Sequence, residues 1–167
     1  MDISIRKWEM NDAEELKNAI NNKNILDNLR NGIHYPYTIE DAKKFIFETL
    51  NAKKDSQYSW AIIVDKKVVG SVGVFRKDNI HYCTAEIGYY IAEDYWGKGI
   101  MTKVIKEVCK YIFKNTDIIR IFAEPFAYNI ASCKVLENSG FELEGTLRKN
   151  AIKNGKILDM KIYSIIK

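Results

Sequence analysis

Two glycines and an apolar stripe place the tightest constraint on this chain. Gly97 and Gly99 flank Lys98, and behind them Ile100, Met101, Val104, Ile105, Val108, Cys109, Ile112 and Phe113 recur along one helical face. Ahead of them Ile80–Ile91 reads as a long strand, and Ile118–Ala123 as another. A strand, a long helix and a second strand in that order predict a right-handed parallel crossover. The Gly-x-Gly turn also has the makings of an anion cradle. Glycines let successive N–H groups converge, and the start of the helix adds partial positive charge. A diphosphate is the natural guest. The P-loop pattern is absent, and the dinucleotide pattern fails at its third position, Thr102. Taken alone, Gly-x-Gly equally describes a plain tight turn.

The other elements follow from periodicity and punctuation. Ile3–Trp8 predicts a strand, and Asn11 and Asp12 with Glu14 and Glu15 predict overlapping capping boxes for a helix carrying Leu16, Ala19 and Ile20. Residues 21–37 read as irregular. Thr38 with Asp41 opens a helix through Leu50. Strands follow at Tyr58–Val64 and Val68–Phe75 around a turn at Asp65-Lys66-Lys67. Asn129–Ser139 predicts a helix ended by Gly140, and Asn154-Gly155 predicts a hairpin between Phe141–Arg148 and Ile157–Ile166. The result is an α/β (α+β) fold, a mixed sheet flanked by about four helices, in one domain spanning 1–167.

Charge and composition exclude several classes. Lys and Arg number 26 against 22 Asp and Glu, for a net +4. That mildly suits an anionic ligand, and the scattered lysines do not form the basic cluster nucleic acid requires. The apolar run Ile87–Ala92 is far shorter than the ~20 residues of a membrane span, and MDISIRKWEM lacks a signal core, so a cytoplasmic protein is expected. Three cysteines, at 83, 109 and 133, predict free thiols. No spacing suggests a metal site.

Three segments together carry a resemblance. They are "NGIHYPYTIEDAKKFI" (31–46), "AEIGYYIAEDYWGKGIMT" (85–102) and "NIASCKVLENSGFELEGTLRK" (129–149). The chain resembles, over essentially its whole length, the GNAT superfamily of acyl-CoA-dependent N-acyltransferases, and within it the RimJ/RimL-type ribosomal-protein N-acetyltransferases. The superfamily often has Gln or Arg three residues before the first motif glycine, where this chain has Asp94. A carboxylate there does not help a phosphate, so binding falls to backbone N–H groups and nearby lysines.

The resemblance implies acetyl-CoA as co-substrate and a strand pair that splays to expose backbone. It places the pyrophosphate on the N–H groups of Trp96, Gly97, Lys98, Gly99, Ile100, Met101 and Thr102. The pantetheine arm then runs along Tyr89, Tyr90 and Ile91, with Asn129, Ser132 and Lys134 nearby and Lys98 or Lys103 toward the phosphates. Glu86 is the candidate general base, and Ser132 the candidate acid at the leaving thiolate. Each has a plain alternative: Glu86 as a paired structural carboxylate, Ser132 and Asn129 as helix-capping residues. Cys133 reads as a packed thiol. His34, Tyr35, Tyr37, Asp159 and Tyr163 are the candidates for the acceptor pocket. The implied reaction is direct acetyl transfer to a primary amine, a protein or peptide α-amino group ahead of a small amine such as a polyamine, amino acid or drug. A non-catalytic acyl-CoA sensor stays open, as does a monomer or a homodimer.

Overall fold

The computed structural model describes residues 1–167. Seven strands hydrogen-bond in the order β1-β2-β3-β4-β5-β7-β6. These are β1 (Ile3–Arg6), β2 (Gln57–Val64), β3 (Lys67–Arg76), β4 (Thr84–Ile91), β5 (Arg120–Ala123), β6 (Glu142–Lys153) and β7 (Lys156–Ile166). The expected mixed sheet is present: β4 and β5 run parallel, while β1–β2, β5–β7 and β6–β7 are antiparallel. Five helices accompany it: α1 (Ala13–Ile20), α2 (Lys23–Leu26), α3 (Ile39–Leu50), α4 (Ile100–Asn115) and α5 (Ile130–Asn138). The chain forms two compact units, one of residues 1–74 and 88–100, the other of 75–87 and 101–167.

In the first unit α1 packs on α3, and Trp8, Leu16, Ile20, Ala42, Ile46 and Ile63 form the core. Trp8 meets Phe45 edge to face, with ring centroids 5.6 Å apart. The Thr38–Asp41 capping box forms as expected: the Asp41 N–H donates to Thr38 Oγ1 at 3.2 Å, and the Thr38 N–H donates to Asp41 Oδ2 at 2.8 Å. The start of α1 differs from expectation. A single 3₁₀ turn at Met10–Asp12 precedes the helix, and the reciprocal box joins Glu9 to Asp12 instead of using Glu14 or Glu15. Asp12 is drawn into that role because Arg6 grips it with two bonds of 2.7 Å. Glu15 serves elsewhere, its Oε2 accepting from the Val68 N–H at 2.7 Å. Within 21–37, expected to be irregular, Asn22 caps the short α2 by accepting from the Asn24 N–H.

The Asp12 carboxyl yields a signed prediction. Burial pushes it up, but the Arg6 bonds and the Glu9 N–H outweigh burial and hold it below the ordinary carboxylate range. A depressed carboxyl contributes stability above its unfolded pKa, near 3.9, and loses it as pH falls through the folded value. Asp12→Asn is expected to cost about 2 kcal/mol at pH 7, moderated by the partial exposure of Arg6. The gap from the parent should narrow as pH falls below the unfolded value near 3.9 and through the lower folded value. Urea unfolding across that range checks this.

In the second unit the stripe of α4 is buried at Val104, Ile105, Val108 and Ile112, as are Ile121 of β5 and Leu136 of α5. The strand expected from Ile80 begins only at Thr84. Asn79 takes a left-handed φ of 52°, Asn79–His81 form a 3₁₀ turn, and Ile80 is 83% exposed, so the alternation there had no core to face. The hairpin turn sits at Asn154 (φ 51°) and Gly155 (φ 73°), as their identities predict. β6 runs five residues past the expected Arg148, because an irregularity between Leu147 and Ala151 absorbs extra residues and pairing then resumes to Lys153. Cys83, Cys109 and Cys133 are free thiols, and burial pushes Cys109 up to about 12. No helix is long and apolar enough to cross a membrane.

Candidate active site

The first unit carries the glycine turn. After Ile91 the chain makes a 3₁₀ turn over Glu93–Tyr95, in which the Trp96 N–H donates to the Glu93 carbonyl at 3.0 Å. Gly97 (φ 71°) and Gly99 (φ 72°) then both adopt the left-handed conformation, and α4 starts at Ile100. A Cβ at either glycine would meet nothing within 4 Å, so the side of the turn that a side chain would fill is open. The first N–H groups of a helix have no partner within it, and here they follow directly on the glycine turn. The expected cradle is therefore shortened by one residue: Trp96 spends its N–H internally, leaving the run from Gly97 to Thr102. Ile100 and Met101 are buried, so their side chains serve the core and only their backbone can serve a ligand. Lys98 is exposed, with Nζ 5.4 Å from the Tyr95 ring centroid.

Trp96 is half exposed, and its indole N–H donates to the Ile91 carbonyl at 2.8 Å, which ties the ring to the end of β4. Glu93, which sequence reasoning passed over, is held by the side chains of Asn22 at 2.6 Å and Asn24 at 3.1 Å. The Asn22 cap is legible as a cap, but its tie to a residue 71 positions away has no local signal.

The end of β4 also belongs to the first unit. Its pairing with β5 runs Thr84↔Arg120, Ala85↔Ile121 and Glu86↔Phe122, while β4 itself continues to Ile91. The Tyr90 ring packs on the core of Trp8 and Leu16, and the hydroxyl bonds to Ser71. Burial, then the neighbouring Tyr37, raise its pKa far above the ordinary tyrosine value. Tyr89 is half-buried.

The second unit carries the candidate proton-transfer groups. Glu86 is half-buried in β4, in register with Phe122. Asn129 caps α5, its Oδ1 accepting from the Ser132 N–H at 3.2 Å, so the capping role of Asn129 is realised. Ser132 lies half-buried in the first turn. The entry to α5 is pinned on β7, where the Lys161 N–H donates to Pro125 and the Ala127 N–H donates to Asp159, each at 2.9 Å. Lys134 is exposed on α5, and Lys103 on α4. Cys133 is 3% exposed, a packed thiol.

The acceptor candidates differ in exposure. His34 is exposed, with Nε2 3.3 Å from Asp41 and Nδ1 3.1 Å from the Pro36 carbonyl. Tyr35 points to solvent at 56% exposure. Tyr37 belongs instead to the core; burial and then Asp41 push its hydroxyl up to about 12, and its N–H is held by Asn21. Tyr163 is wholly buried rather than facing an acceptor, and its hydroxyl donates to Glu137 at 2.8 Å. Asp159 is exposed, but its Oδ1 accepts from the Lys149 N–H at 2.8 Å within the hairpin irregularity. Tyrosine suits core and pocket equally well, so sequence alone could not separate the two. No cluster of three His, Cys, Asp or Glu side chains is placed to hold a metal.

A strand running into a left-handed glycine turn and a long helix is the arrangement that the sequence resemblance implies. The acetyltransferase (GNAT) domain family matches residues 2–142, and the chain belongs to that family of acetyl-CoA-dependent N-acetyltransferases. The chain is 34% identical to the Probable N-acetyltransferase YjcK of Bacillus subtilis (strain 168), over 98% of this chain and 93% of that protein. Among solved structures, the Microcin C7 self immunity acetyltransferase MccE, in complex with acetyl-CoA and AMP, matches with a TM-score of 0.86 and 28% identity, over 99% of this chain and 93% of that one. The ribosomal-protein-S5-alanine acetyltransferase from Vibrio fischeri shares the fold with a TM-score of 0.88 at 24% identity, again over 99% and 93%.

Proposed function

We propose that this chain, acting over 1–167 as one catalytic domain, acetylates the α-amino group of a protein or peptide by direct attack on acetyl-CoA. The observation that carries the cofactor half is the open, left-handed Gly97–Gly99 turn at the head of a 16-residue helix. The N–H groups of Gly97 to Thr102 hold the pyrophosphate, and Lys98, Lys103 and Lys134 supply positive charge to the phosphates. Backbone at Tyr89–Ile91 pairs with the pantetheine arm, and an N–H there polarises the thioester carbonyl.

Glu86 takes the proton of the incoming ammonium, whose pKa is near 10, directly or through a water. The freed amine attacks the thioester carbon, an amide C–N bond forms and the C–S bond breaks. The departing thiolate takes a proton from the Ser132 hydroxyl, which is re-protonated by the surplus proton leaving the nitrogen as the adduct becomes the neutral amide. The preference for an α-amino acceptor rests on the RimJ/RimL-like segments and on the kinship in fold with a ribosomal-protein acetyltransferase. The test is product mapping by mass spectrometry. Offered a peptide with a free N-terminus, the same peptide blocked, free lysine and spermidine, the enzyme should acetylate only the first, at its terminus. Exclusive modification of spermidine or of the lysine side chain would overturn the acceptor assignment.

A further inference from the structure

We propose that Gly70, in the middle of β3, is a positioning residue for acetyl-CoA: by having no side chain it sets where the end of β4 lies. This rests on the reading that Tyr90 and Ile91 bind the cofactor arm through their backbone.

Glycine weakens a strand interior, so one in a fully buried stretch of β3 calls for a reason. Its φ is not left-handed, so conformational freedom is not the reason. Close approach is. A Cβ on residue 70 would stand 2.9 Å from the Ile91 Cα and closer still to the Tyr90 carbonyl oxygen, where ordinary contact begins at 3.4 Å. Both atoms are backbone and have no rotamer by which to yield. The glycines at 97, 99 and 145 differ, since a Cβ there meets nothing within 4 Å.

The joint continues along the chain. The Ala92 N–H donates to the Val69 carbonyl at 2.8 Å, Trp96 grips the Ile91 carbonyl, and Asn22 and Asn24 hold Glu93. The run from Tyr90 to Trp96 is thereby fixed just ahead of the glycine turn. A methyl on residue 70 must displace Tyr90–Ile91 by on the order of 1 Å, a misplacement large enough to cost roughly 10²-fold when it falls at a reacting centre.

The test compares Gly70→Ala with Gly145→Ala, a strand glycine with open space, and with Ala92→Pro. The last keeps the backbone angle, since φ at Ala92 is −55°, but replaces the N–H given to Val69 with a ring Cδ that presses on the same carbonyl, so it loosens the joint from its other end. Calorimetric affinity for coenzyme A, steady-state kinetics and thermal melting are read on each. Gly70→Ala should weaken coenzyme A binding and raise the acetyl-CoA KM roughly 10- to 100-fold, leaving the acceptor KM unchanged. Ala92→Pro should move the same constants in the same direction by less, and Gly145→Ala should move neither. If Gly70→Ala does not fold, Ala92→Pro decides alone. Parental affinity for coenzyme A in a folded Gly70→Ala or, failing that, in Ala92→Pro overturns the inference, as does an effect confined to the acceptor KM. Failure of the parent chain itself to bind coenzyme A overturns the proposed function, and this inference with it.

Discussion

Gly97→Val is expected to abolish measurable acetyl-CoA binding while leaving the protein folded. Two effects add. At φ 71° a β-branched residue is strained by roughly 1–2 kcal/mol, which pulls the turn toward another conformation and turns its N–H groups away. The valine methyls also fill the space that is open above the turn, and a pyrophosphate could no longer reach the backbone. No atom lies within 4 Å of the new Cβ, so the folded state loses little beyond the backbone strain. The measurement is calorimetric titration with coenzyme A beside a thermal melt. The expectation is a loss of affinity of more than about 10²-fold, on the order of 3 kcal/mol, with a melt shifted only by the strain. Near-parental affinity would mean that the cofactor is held elsewhere.

Glu86→Gln is expected to lower kcat by about 10²- to 10⁴-fold, the range over which a positioned base contributes. The substitution keeps the shape of the side chain and its place opposite Phe122 in the β4–β5 register, so acetyl-CoA affinity should stay at the parental value. The pH profile distinguishes a base from a structural carboxylate. Below the amine pKa, near 10, the acceptor arrives protonated and needs a base, so the deficit should be widest at the acid end and narrow as pH rises toward 10. A structural carboxylate would instead show in the thermal melt, with a kcat deficit independent of pH. Unchanged turnover would remove Glu86 from the proton path.

The parts of this molecule legible in its sequence are those governed by local rules. The Thr38–Asp41 box, the Asn154–Gly155 turn and the left-handed Gly97, Gly99 and Gly140 each follow from what one or two residues can do in isolation. The stripe of α4 was legible because its period repeats over four turns. Errors arose where distant partners decide. Asp12 caps through Glu9 because Arg6 claims its carboxylate, and Asn22 reaches Glu93 across 71 positions. Alternation carried the predicted strand back to Ile80, although Asn79 turns the chain and no core lies beneath Ile80.

The site shows the same division. Its glycines announce themselves, but its tyrosines do not. Tyr37, Tyr90 and Tyr163 carry a large apolar ring and one polar atom, which suits a pocket wall and a core with a buried hydrogen bond alike. The structure sends all three rings to the core. Tyr37 and Tyr163 are therefore side chains whose burial their sequence context did not announce, while His34 and Tyr35 lie exposed. Gly70 left no trace in the pattern, because a glycine in a strand records only that something comes close, not what.

The central claim is that this chain moves an acetyl group from acetyl-CoA to an amine without an acyl-enzyme. Its most direct test follows coenzyme A thiol release from acetyl-CoA by the purified protein, with and without a peptide bearing a free N-terminus. The account predicts release that depends on the peptide, matches acetylated peptide mole for mole, and shows no burst of thiol when the peptide is withheld. Tight acetyl-CoA binding with no amine-dependent release on any acceptor, or a stoichiometric burst before amine is added, would contradict it.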